Sequence, residues 1–201
     1  MELGGKVILV VAFAFGTAKA EPVGSVTVLV YDYANVPGAQ LVEAETFAAR
    51  SYRAAGIELI WIECATSDDG SELFHACERA NDGHRLYLNI TSKRVADIRG
   101  PRKFDDAFGL AYQTYAAILY PRIEEMAHVW GIPEYLILGR TMAHELGHLL
   151  LGANSHAPSG LMRPRFGWRD LSLESAQFLF DPKQAAQLRR MVQSGQPVAA
   201  R

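Results

Sequence analysis

Thr141-Met142-Ala143-His144-Glu145-Leu146-Gly147-His148-Leu149-Leu150-Leu151-Gly152 is the stretch on which the reading of this chain turns. The helix that carries it is read to begin at Pro133, which suits the first turn of a helix, and to stop at Gly152, which suits the exit from one. Residues four apart on a helix share a face, so His144 and His148 can offer two imidazoles to one ion. Glu145 stands between them in sequence, within reach of a water on that ion. His156 follows four residues after Gly152, close enough to swing back as a third ligand. Three imidazoles, an open coordination position and one carboxylate are the inventory of a catalytic zinc centre holding one Zn2+ ion. The chemistry implied is hydrolysis of an amide by a zinc-bound water activated by Glu145.

The segments before this helix read as alternating strand and helix. Ser25–Tyr31 is rich in β-branched residues and is expected to be a strand. Asn35–Gly38 reads as a turn, with Pro37-Gly38 as its punctuation. Apolar residues recur at helical spacing from Ala39 to Ala55 (Leu41, Ala44, Phe47, Ala48, Tyr52), and Gly56 stands where a helix would stop. Ile57–Ile62 and Arg85–Ile90 read as further strands, and the β-α-β opening implies a parallel pair. Phe108–Tyr112 and Tyr115–Tyr120 are short strand candidates, with Pro121 closing the second. Arg122–Trp130 reads as a short helix ended by Gly131. Asp181-Pro182-Lys183-Gln184 is a helix start with a capping aspartate and a glutamine at the third position.

The chain has 201 residues, 49% hydrophobic and 21% charged, with a formal net charge of −2. That is ordinary globular composition, long enough for one domain with a real core. The charge is too small to imply a nucleic-acid partner. Residues 1–20 carry Lys6, an apolar run from Val7 to Phe15, and Ala18-Lys19-Ala20 at a cleavage position. They read as a signal peptide removed near Ala20, its apolar run too short for a permanent anchor. The mature protein is therefore expected to be exported, periplasmic or extracellular, with no membrane attachment. Only Glu21 to Gly24 separate that point from the first strand, which leaves no room for an inhibitory propeptide. Export makes a Cys64–Cys77 disulfide the favoured state of the two cysteines.

The motif His144-Glu145-x-x-His148, a glycine, a third histidine and a methionine in a turn together resemble the metzincin clan of zinc endopeptidases. His156-Ala157-Pro158-Ser159-Gly160-Leu161-Met162 is similar to the segment that forms the Met-turn in matrixins. The resemblance implies that His144, His148 and His156 hold zinc, that Glu145 is the general base and that Met162 is the hydrophobic floor. It also implies a metzincin-like α/β (α+β) fold. An upper subdomain of about 24–151 would hold a mixed twisted sheet with helices. A small irregular lower one of about 152–201 would end in a helix. Residues 21–201 would then be a single catalytic domain. Gly109, Leu110, Ala111 and Tyr112 would be the edge strand against which an extended peptide or protein substrate is laid; an ordinary edge strand is the alternative. The spacing departs from the clan's pattern: it runs HExxHxxxGxxxH, with Gly152 one residue late and His156 two. One added helical residue turns the exit by about 100°, so the loop before His156 must compensate; an acidic or water ligand is the alternative there.

Among other residues, Arg163, Arg165 and Arg169 could face a substrate, although a solvated basic loop is the commoner case. His75, His84 and His128 have no partner at ligand spacing. Trp61, Trp130 and Trp168 read as packing residues. Gly147 inside the helix is explicable if another segment approaches closely. Two rival functions share the motif: a zinc hydrolase of non-protein or cell-wall amides, and a catalytically silent secreted zinc-binding module.

Overall fold

The computed structural model describes residues 22–67, 77, 85–93, 107–112, 115–168, 170 and 178–194. The expected signal segment 1–20, His75, His84 and Arg169 lie outside them. In chain order the elements are β1 (Gly24–Asp32), α1 (Gly38–Ala54), β2 (Ile57–Cys64), β3 (Arg85–Thr91), β4 (Gly109–Tyr112), β5 (Tyr115–Leu119), α2 (Tyr120–Trp130), α3 (Glu134–Leu151) and α4 (Pro182–Gln193). The mixed α/β class read from the sequence is the class observed.

The strands form one sheet in the order β2-β1-β3-β5-β4. β1 is parallel to both β2 and β3, and β3 is parallel to β5. β4 is antiparallel to β5 and closes the sheet on that side. With a parallel neighbour on each side, β1 buries every residue from Val26 to Val30. A parallel strand covered on both faces needs such a largely apolar run, which only Thr27 interrupts. β3 alternates instead, burying Leu86, Leu88 and Ile90 toward the helices. On the other face Leu29 packs with Cys64 and Cys77, flanked by Tyr31, Ile62 and Tyr87. Cys64 and Cys77 are joined as a disulfide, as expected.

α1 lays Leu41, Ala44, Phe47, Ala48 and Tyr52 onto the core at helical spacing. It ends at Ala54, and the chain turns into β2 at Gly56, whose φ of 83° is open to glycine. Helix α3 is different: it is buried nearly all round from Leu136 to Leu150. A helix with no wet face lies between layers. The layers are α1 and the sheet above, and the irregular run after Gly152 with α4 below. Two junctions are tighter than the sequence suggested. β5 runs straight into α2, so Tyr120 opens that helix and Pro121 stands in its first turn instead of closing a strand. The first-turn N–H groups of a helix have no partner within it, so proline loses nothing there. Likewise Pro133 caps α3 from the position just before it.

Candidate metal centre

The site grows out of the last two turns of α3. His144 and His148 project from adjacent turns, and their Nε2 atoms lie 3.1 Å apart. The helix stops at Gly152, with φ 98° and ψ 162°, a conformation accessible essentially to glycine alone. The Gly152 amide still donates to the His148 carbonyl, and the Ser155 amide donates back to Gly152. This tight return absorbs the added residues between His148 and His156. His156 Nε2 arrives 3.0 Å from His148 Nε2. One nitrogen from each of the three rings lies within 4.8 Å of the others.

The opposite ring nitrogens fix how the His144 and His148 imidazoles point. His144 Nδ1 lies 2.8 Å from the Leu161 carbonyl, which can only accept, so Nδ1 carries the proton and Nε2 its lone pair. His148 Nδ1 faces the Ser155 hydroxyl at 3.1 Å and, more loosely, the Gly152 carbonyl. Burial lowers the His144 pKa to about 4; the Leu161 hydrogen bond opposes this and the neighbouring His148 and His156 add to it. Burial also lowers His148, with His156 contributing. Both rings are thus neutral near pH 7, the form that binds a metal. Four-coordinate zinc with nitrogen ligands at about 2.05 Å separates those nitrogens by about 3.3 Å. The observed 3.0 and 3.1 Å are within a few tenths of an ångström of that separation, so the donor set fits the ion.

Glu145 is buried on the same helix and lines the same cavity. Burial pushes its carboxyl up to about 8; a cation beside it would pull that value back down. β4 passes directly over it. A Cβ on Gly109 would lie 2.7 Å from Glu145 Cγ, so only glycine allows the strand this close. The expected edge strand Gly109–Tyr112 is therefore the outer strand of the sheet, and it lines the cavity beside the histidines.

Beneath α3 lies Met162, fully buried. A Cβ on Gly147 would sit 2.5 Å from its sulfur, which supplies the close approach that the helical glycine called for. The turn carrying it is held by Ala157 N–H donating to the Met162 carbonyl and by Leu161 N–H donating to Leu179. Gln184, from the first turn of α4, donates to the Ser155 carbonyl at 2.8 Å and anchors the loop that bears His156.

Several contributors carry no sequence signal that marks them. Phe166 stands edge-on to His144, with ring centroids 5.1 Å apart. Tyr52 reaches from α1 to the Ala143 carbonyl at 2.9 Å. Arg140, wholly buried in α3, lies over Phe178 at 3.9 Å and bonds the Asp170 carbonyl. Asp170 in turn holds Arg163 at 2.6 Å, so that arginine braces the lower loop. Arg165 lines the cavity. Trp130 also lines it, against Phe108, whereas Trp168 is exposed and Trp61 packs against the core. His128 sits at the end of α2, on an exposed position, and does not line the cavity.

The cavity has a volume of about 810 Å³ and follows α3 from Thr141 to Leu151, about 15 Å at 1.5 Å per residue. No family model matches the sequence, and no curated protein matches it. Solved structures do. Archaemetzincin from Methanopyrus kandleri is similar at TM-score 0.52 and 14% identity, over 83% of this chain and 95% of that one. A zinc-dependent peptidase from Methanocorpusculum labreanum is similar at TM-score 0.54 and 15% identity, over 80% of this chain and 99% of that one. At such identities the likeness is one of fold: the chain shares the mixed α/β fold of these two structures.

Proposed function

We propose that the protein is a secreted zinc-dependent endopeptidase of metzincin type. The observation that carries this reading is the convergence of three imidazole nitrogens beside a buried carboxylate, in a cleft bordered by a sheet edge. His144, His148 and His156 would hold the ion, and Met162 would form the floor beneath them. A bound zinc ion supplies Lewis acidity, which polarises the scissile carbonyl and acidifies a nearby water to a pKa of about 7. Glu145 takes the proton of the attacking water and passes it to the leaving nitrogen. Its burial favours the protonated carboxyl once the proton has arrived. β4, through Gly109, Leu110, Ala111 and Tyr112, would pair with an extended substrate main chain, which gives affinity with little demand on side chains.

Four further points support the reading. The fold is shared with solved zinc peptidases. The Cys64–Cys77 disulfide suits an oxidising compartment. Residues 1–20 have the pattern of a cleaved export signal, and among the described residues no helix is long and apolar enough to cross a membrane. Residues 24–151 and 152–201 would be the two subdomains flanking the cleft, with a peptide or protein as partner.

Glu145→Ala separates this reading from its rivals. The expected result is unchanged zinc content with hydrolysis of a mixed peptide pool reduced about 10²–10⁴-fold. Equal hydrolysis by both proteins would overturn the assignment. Stoichiometric zinc in a wild-type protein that cleaves no peptide would favour a silent binding module or a non-protein amide as substrate.

A further inference from the structure

The cleft and the chain differ in sign. The chain has 20 Lys and Arg against 22 Asp and Glu. The cavity is lined by Arg122, Arg165 and Arg190, and among its described lining residues Glu145 is the sole acid. The three arginines come from three separate walls: α2, the loop after Met162, and α4. Arg122 lies over the Phe108 ring at 6.0 Å, and its Nη1 meets Glu125 at 2.9 Å. Its Nε is buried without a partner, and Glu125 is 60% exposed, so the guanidinium is incompletely matched. Arg165 is exposed beside Phe166, the ring that leans on His144, and no acid among the described residues pairs with it. Arg190 is exposed on α4.

We propose that this cleft selects peptides bearing carboxylates close to the scissile bond, from acidic side chains or a free chain end. The inference rests on the peptidase reading above. A carboxylate matches the planar fork of an arginine, and the exposed guanidinium groups of Arg165 and Arg190 would receive it, with Arg122 adding its charge from the far wall. Low-dielectric walls focus the field of three like charges into the groove, and so raise the local concentration of acidic peptides.

The test uses zinc-loaded protein and matched peptides that differ only by Glu against Gln around the cleaved bond, each with a blocked and an unblocked C-terminus. Binding is read by fluorescence anisotropy on Glu145→Ala, and kcat/KM on wild type. The expected result is at least about a ten-fold preference for the carboxylate. The ratio should fall toward one in Arg122→Gln, Arg165→Gln and Arg190→Gln, and shrink as salt rises from about 0.05 M to about 0.5 M. A preference confined to unblocked peptides assigns the carboxylate to the chain end. Thermal melts identify a variant that misfolds; Arg165 and Arg190 are exposed, so their variants keep the test open if Arg122→Gln fails to fold. Equal treatment of Glu and Gln peptides, or a ratio unmoved by all three variants, overturns the proposal. Hydrolysis without discrimination would leave the peptidase reading standing. Discriminating binding with no hydrolysis by wild type would overturn that reading and leave carboxylate recognition.

Discussion

Two stretches deliver the three imidazoles, and they do so by different physics. α3 places His144 and His148 by its own period; any regular helix with those residues would do the same. The run from Gly152 to Met162 has no such repeat. Its path depends on one glycine conformation, on the Gln184 bond to Ser155 and on the pairing of Ala157 with Met162. One half of the site is encoded locally, and the other is held by contacts with residues far along the chain. The two halves should therefore fail in different ways when cut.

The largest effects are expected from removing the proposed ligands. His148→Ala and His156→Ala should each abolish hydrolysis and weaken zinc binding by several orders of magnitude, measured by competition with a chelator. The melts should then separate them. Metal-free His148→Ala loses a half-buried ring that meets Ser155, whereas His156 is exposed, so metal-free His156→Ala should melt like the wild type. Equal destabilisation by both would show that the loop depends on His156 for its path, and would erase the distinction drawn here.

Gly147→Val strikes where the halves meet. The new side chain would invade the space of the Met162 sulfur and of Phe180. Overpacking of that kind costs about 1–3 kcal/mol, so a lower denaturation midpoint is expected together with weaker zinc binding. A variant that is destabilised but binds zinc normally would show that the turn under α3 does not control the loop ligand.

The smallest effect lies outside both halves, on the helix α1 that packs against α3. Glu45, buried on α1, has one carboxyl oxygen without a partner. Burial, helped by Glu63, raises its pKa from 4.5 to about 7. Because the folded value is raised, the unfolded chain holds fewer protons across that window, and stability falls as pH rises through it. Glu45→Gln should leave the melting temperature unchanged near pH 4 and raise it modestly at pH 8. A constant difference at all pH values would assign the change to packing instead.

The same contrast explains what the sequence made legible. Leu41, Ala44, Phe47 and Tyr52 repeat with the helical period, Gly56, Gly131 and Gly152 mark helix ends, and Asp181 with Gln184 spells a capping box; each is a local signal. His144, Glu145 and His148 are legible for the same reason. The cysteine pair was legible because its spacing and the export reading agreed. What stayed hidden is long-range. Nothing in Arg85–Thr91 says that it pairs with β1 and leaves β2 at the sheet margin. Nothing near His156 names Gln184 as its anchor, and nothing in α4 says that Arg190 faces the same cavity as Arg122. Arg140 looks like a surface residue until Phe47 and Phe178 are seen to enclose it. Such facts are set by packing between segments, which periodicity and punctuation do not record.

The reach of α4 across the molecule also orders events during synthesis. Its Val192 lies against β1 at Gly24, and its Gln184 fixes the loop that carries His156. A ribosome extending at about 5–20 residues per second releases α3, ending at Leu151, a few seconds before α4, ending at Gln193. Until α4 has emerged, the loop that carries His156 lacks the Gln184 anchor that holds it in the folded protein. The triad is therefore expected to be completed only when the last helix docks onto the first strand.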